Sequence, residues 1–218
     1  MIKTRALLLF IIISGTFIRT QAQTEVGLKA GVNYVNNVLV NDKIGINGSD
    51  NEYRFGYHAG IFVRIKFTDK FLLNTELLFS NKGYKFEGLR NANAQPSGSG
   101  NLHLNYLNLP ILFGYNIFDK LIFELGPELG YLLSAKSKFG TETIDVKNIW
   151  DNDLDFGLSA GLAYSVMENW MIGIRYTHGI SSVLKDVVLR NDENGTPRDG
   201  NLKFQNRTFQ LSLFYKLK

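Results

Sequence analysis

The chain contains no cysteine. That excludes a disulfide scaffold, a thiolate metal site, a thiol nucleophile and a lipidated N-terminal cysteine. Histidine is scarce, with three copies, so histidine-based metal or acid–base chemistry has little to draw on. After the first two dozen residues no apolar run reaches the roughly 20 residues that a transmembrane helix needs. A composition of 44% hydrophobic and 20% charged residues fits neither a disordered chain nor a helical membrane protein. What remains is a chain of 218 residues, ample for a core, with an excess of basic charge and 13% aromatics.

The basic excess has a local source. Lys3 and Arg5 precede an unbroken apolar run from Leu7 to Ile13, and the stretch ends in Thr20-Gln21-Ala22. This is the layout of a secretory signal peptide, cleaved after Ala22 to leave Gln23; an N-terminal membrane anchor is the weaker alternative. Residues 1–22 take Lys3, Arg5 and Arg19 with them and no acidic residue, so the net charge falls from +4 to +1. A nucleic-acid partner loses its main support, and residues 23–218 are expected to form one domain.

Across that domain the dominant pattern is period-two alternation, the signature of strands with unlike faces. Val26, Leu28, Ala30, Val32 and Tyr34 alternate with Gly27, Lys29, Gly31 and Asn33. Tyr57 to Phe67, Leu73 to Phe79, Leu107 to Tyr115 and Leu121 to Leu133 continue it. Phe156 to Tyr164, Trp170 to Tyr176 and Phe209 to Leu217 bring the expected strands to eight, with no helix. Long polar connections, roughly 35–54, 88–101, 136–152 and 182–204, alternate with tight turns at 67–70, 117–120 and 167–169. Long loops on one side and short turns on the other describe an up-and-down antiparallel meander.

Eight such strands build either a soluble barrel with an apolar interior or a transmembrane β-barrel with an apolar exterior. The apolar face is nearly free of charge and too bulky for an eight-strand lumen. The opposite face interleaves glycines with ionisable groups: Lys29, His58, Arg64, Lys66, Lys82 and Arg175 against Glu76, Glu124, Glu128 and Asp155. Aromatics gather in two belts. Phe67, Tyr115, Phe118, Tyr164, Trp170 and Tyr215 lie towards the turns; Tyr34, Tyr57, Phe79, Tyr131, Tyr176 and Phe209 lie towards the loops. Such belts match the interfacial girdles of membrane barrels, so the expectation is an all-β, eight-stranded transmembrane barrel in outer-membrane lipid. Pro110 and Pro127 each remove a ladder donor, which predicts a bulge or a strand end at both.

The lumen charges are nearly balanced, which predicts mutual pairing, since an unpaired buried charge is costly. A proton-linked gate or a narrow small-solute pore is the functional alternative. For catalysis only His178, followed by Ser181, Ser182 and Asp186, offers a loose constellation, and no spacing rule supports it. No pair of histidines or carboxylates has metal-ligand spacing, no glycine-rich turn leads into a helix, and no cofactor is expected.

Several segments resemble the PorT-like family of outer-membrane β-barrel proteins of the Bacteroidota. They include GLKAGVNY at 27–34, YLNLPILFGY at 106–115, ELGPELGYLLSAK at 124–136 and FGLSAGLAYSV at 156–166. ELLFSNKGY at 76–84, IRYTHGISSV at 174–183 and RTFQLSLFYKLK at 207–218 extend the likeness over most of residues 23–218. The resemblance implies an eight-stranded barrel in the outer membrane of a diderm bacterium, with no catalytic residues. The family's founding member is tied to a secretion apparatus, and most relatives have no assigned activity. With the filled lumen and four long loops, the expectation is a non-enzymatic envelope component that engages a secretion or envelope protein. One departure is the C-terminus: Lys218 ends the chain, and Tyr215 takes the outward aromatic position.

Overall fold

The computed structural model describes residues 23–41, 46–48, 52–87, 98–149, 153–181 and 203–217. The expected signal peptide lies outside them. Eight long strands form the wall: β1 (Gln23–Asn41), β3 (Arg54–Lys66), β4 (Phe71–Glu87), β5 (Ser99–Phe118), β6 (Leu121–Phe139), β8 (Leu154–Ser165), β9 (Trp170–Gly179) and β10 (Lys203–Lys216). Two short strands, β2 (Ile46–Gly48) and β7 (Glu142–Asp145), fold back on β1 and β6, and a single 3-10 turn spans Lys147–Ile149. Each wall strand pairs antiparallel with its neighbour in the chain, and β10 closes on β1 from Gly27↔Lys216 to Val40↔Lys203. Closure leaves no wall strand with a free edge, the condition for surviving in lipid.

Alternation sets which face each side chain takes. On β5 the residues from Leu102 to Leu112 alternate inward at even numbers and outward at odd ones, with Leu104, Tyr106 and Leu112 fully buried and Phe113 exposed. Large apolar groups cover the outside of every wall strand, among them Leu28, Ile61, Leu77, Leu125, Leu158, Ile174 and Leu211. A soluble protein would not leave so much apolar surface in water.

Three expectations change. The prolines produce no bulge and no strand end: Pro110 pairs with Glu128 and Pro127 with Leu158 without a register shift. Each sits mid-strand and costs only the ladder contacts beside it. The register shifts fall instead at Asn105/Tyr106 and Asn116/Phe118, where the β5–β6 hairpin bends. Second, strand structure runs into the expected loops, since β1 continues to Asn41, β5 starts at Ser99 and β6 reaches Phe139, while β4 runs on from Phe79 to Glu87, at the edge of one. About 10 residues cross a bilayer, so strands of 17 to 20 residues continue past it on the loop side. Third, the inward face is not purely polar. Phe62, Leu72, Ile122, Ala163, Met171 and Phe214 form one buried cluster, and Leu102, Leu104, Tyr106, Leu132 and Ala135 form another.

Candidate functional site

Two ionic clusters fill the lumen. The first centres on Glu76 of β4. Arg175 of β9 grips it with both guanidinium nitrogens at 2.7 Å, and Lys29 of β1 donates at 2.8 Å. Arg175 also donates to Glu124 at 3.1 Å, and Asn74 donates to both carboxylates. Arg64 extends the chain of charges from Glu124 at 3.5 Å to Glu25 at 3.3 Å. Lys66 stands at the turn-side rim, where it pairs with Glu25 at 2.8 Å instead of entering the lumen.

Nearer the loops, Glu128 accepts from Lys82 at 3.1 Å, from Ser159 at 3.1 Å, from Thr177 at 3.2 Å and from Asn108. Asp155 lies 3.8 Å from Lys82 and accepts from Ser181 at 2.9 Å and Asn206 at 2.6 Å. Between the clusters His58 donates from Nδ1 to Asn33 and accepts at Nε2 from the Ser212 hydroxyl. It is therefore held by neutral groups and takes no part in the ion pairs. Cations also lie over aromatic faces: Lys29 over Phe214, Arg64 over Phe62 and Lys82 over Tyr106.

Pairing this dense satisfies the charges that burial would otherwise penalise. Each ionic cluster is flanked by one of the two apolar clusters, with Phe62 and Phe214 edge to face at 5.5 Å. Buried side chains face the lumen from Phe214 to Leu104. Sequence reasoning missed Glu25, Asn33, Asn74, Asn108, Asn206 and Arg207. All of them except Asn206 and Arg207 lie on the inward phase of strands already recognised, so phase alone points to them.

The aromatic residues at the two ends of the strands lie on the outer face. Trp170 packs on Tyr215 at 4.7 Å in the turn-side belt, and Tyr176 packs on Phe209 at 4.7 Å in the loop-side belt. Phe67, Phe118 and Tyr164 are exposed with them below; Tyr34, Tyr57 and Tyr131 are exposed above. Phe79 and Tyr115 complete ring pairs with Tyr57 and Phe71.

Of the catalytic constellation, the two described residues do not come together. His178 points outward, 3.3 Å from the Tyr176 hydroxyl, whereas Ser181 is tied to lumen Asp155. Ser182 and Asp186 lie outside the described residues. Among the described residues no group of three His, Asp or Glu side chains is arranged to hold a metal ion.

A closed eight-stranded barrel, apolar outside and ionic within, defines a transmembrane β-barrel. The chain belongs to the family described as the outer membrane protein beta-barrel domain, which it matches over residues 21–185. Its fold is similar to that of Neisserial surface protein A, at a TM-score of 0.52 and 13% identity over 89% of this chain and 99% of that one. Similarity extends to Ail, the attachment invasion locus protein of Yersinia pestis (TM-score 0.47, 14% identity, 89% and 99% covered). OprG from Pseudomonas aeruginosa follows at 0.43 and 12%, with 90% and 97% covered. No functionally curated protein matches. The barrel is thus an outer-membrane protein of a Gram-negative envelope.

Proposed function

We propose that this protein is a closed, non-enzymatic envelope component of the PorT-like kind, exported by its first 22 residues and acting by engaging an envelope or secretion-complex protein. One observation carries the reading: the lumen is packed with paired charges between two apolar clusters. A barrel filled this way offers neither a solute path nor a cleft for chemistry, so its usable surfaces are the loops and the rims. The packing also weighs against the narrow-pore reading.

Photo-crosslinking from the loops and the turn-side rim in intact cells is the test. A reproducible envelope protein in the crosslinked product is the expected result, and a barrel that always comes out alone removes the proposal. Planar-bilayer recording checks the closed lumen separately: steady single-channel conductance from the purified barrel sinks that part.

A further inference from the structure

The outer wall above the loop-side belt changes character in registered rows. Phe79, Leu107 and Tyr131 stand side by side across β4, β5 and β6 as an apolar row, with exposed Leu133 just beyond Tyr131 on β6. The next row away from the membrane centre reads Asn81, Asn105 and Ser134, two residues on along β4 and β5 but three along β6, where the ladder shifts register. Two further still, His103 faces Lys136, and above them Asn101 faces Lys138. With strands tilted about 40° and ~3.4 Å per residue, each row rises about 5 Å. Lipid chains, the polar headgroup zone and the zone just above it are therefore met in that order.

The middle row is internally satisfied. Arg54 donates to Asn81 at 3.0 Å, Asn81 to Asn105 at 2.6 Å and Asn105 to Ser134 at 2.9 Å. The second guanidinium nitrogen of Arg54 donates to His103 Nδ1 at 2.9 Å. Since a guanidinium only donates, His103 keeps its proton on Nε2 and presents a donor. Burial, then the Arg54 and Lys138 cations, holds its pKa below the usual histidine value.

The upper row is not satisfied. Lys136 and Lys138 are exposed, and neither has an ion pair among the described residues. Asp145 lies across from Lys136, but its Oδ1 accepts the backbone N–H of Lys147. Arg54, His103, Lys136 and Lys138 line a cleft of about 510 Å³ together with Phe55 and Tyr57, and among the described residues no acidic side chain lines it. The cleft is a cationic recess with two aromatic rings in its lining, placed where a lipid headgroup meets its chains.

We infer that this cleft binds the phosphate-bearing headgroup of an outer-leaflet glycolipid, with Arg54, Lys136 and Lys138 on the phosphate and Phe55 and Tyr57 against the lipid body. Long cationic stems reach down to phosphate depth, and guanidinium and ammonium groups are the natural phosphate donors. The inference uses the loops-outward orientation and does not depend on the proposed protein partner.

The test is native mass spectrometry of the detergent-solubilised full barrel titrated with a bis-phosphorylated acylated glucosamine disaccharide. Retention of that lipid and loss of retention after enzymatic dephosphorylation are expected. The Lys136→Gln/Lys138→Gln variant weakens retention at least tenfold, and Arg54→Gln weakens it further. Folded gel mobility of each variant shows that the barrel is intact. Equal retention of the dephosphorylated lipid, or an unchanged double variant, overturns the inference. Saturation by inorganic phosphate alone at the same concentrations also overturns it, because the site is then one for free anions. A barrel without a protein partner in cells leaves this titration unaffected.

Discussion

Arg175 and Glu76 meet in the middle of the lumen as a two-pronged pair, Nη1 to Oε2 and Nη2 to Oε1, both at 2.7 Å. They come from opposite sides of the barrel, β9 and β4, which share no ladder. The pair is a strut across the lumen, and Lys29 and Glu124 are bound into it.

Removing the strut leaves a buried carboxylate cluster short of one cation. Breaking a buried pair costs about 3–5 kcal/mol. Arg175→Met is expected to lower the urea midpoint of the detergent-folded barrel accordingly. Arg175→Lys falls in between, because an ammonium cannot make the paired contact. Equal midpoints for wild type and Arg175→Met refute the strut.

The turn-side apolar cluster should behave as a packed core. Phe214 lies buried against Phe62, so Phe214→Ala is expected to cost about 3–5 kcal/mol. Tyr106→Phe makes the contrast: its hydroxyl has one long contact, 3.5 Å from Asn206, and its loss costs less than about 1 kcal/mol. The same urea titration measures both, and comparable losses contradict this packing.

Gly60 is tested by size. A Cβ there would collide with the Leu77 carbonyl oxygen and the Leu78 Cα on the adjacent strand. Gly60→Val is expected to prevent folding into detergent, scored by the absence of the compact gel band. Gly140, at φ 59 with open space around it, tolerates Asn with little change in the same assay.

Trp170 reports the depth of the turn-side belt. In the Trp150→Phe background its fluorescence is expected to be quenched most by lipids brominated near the headgroup. Quenching that peaks with bromines at the chain ends places the belt wrongly.

The barrel and the direction of its faces were legible because period two leaves no freedom once one residue is assigned. Lys29, Glu76, Glu124 and Arg175 follow from phase alone, and so does Glu25, two positions before Gly27. The upper wall was illegible for a physical reason. Above Phe79 and Leu107 the outward residues become Asn81 and Asn105 while Tyr84, Leu104 and Leu102 turn inward, so the polarity of the two faces is exchanged and the apolar-outward phase ends. Strand then looks like loop. The prolines misled for the opposite reason: a missing N–H signals a break, but neighbouring ladder bonds held the register at Pro110 and Pro127.

The strands that outrun the bilayer have a mechanical consequence. From Leu107 to Ser99, β5 climbs eight more residues, about 20 Å of height at a 40° tilt. Paired with β4 and β6 for most of that climb, it makes a stiff pedestal on the cell surface. On the proposed function, a partner is met at the top of that pedestal by anchorage points whose spacing the ladder fixes.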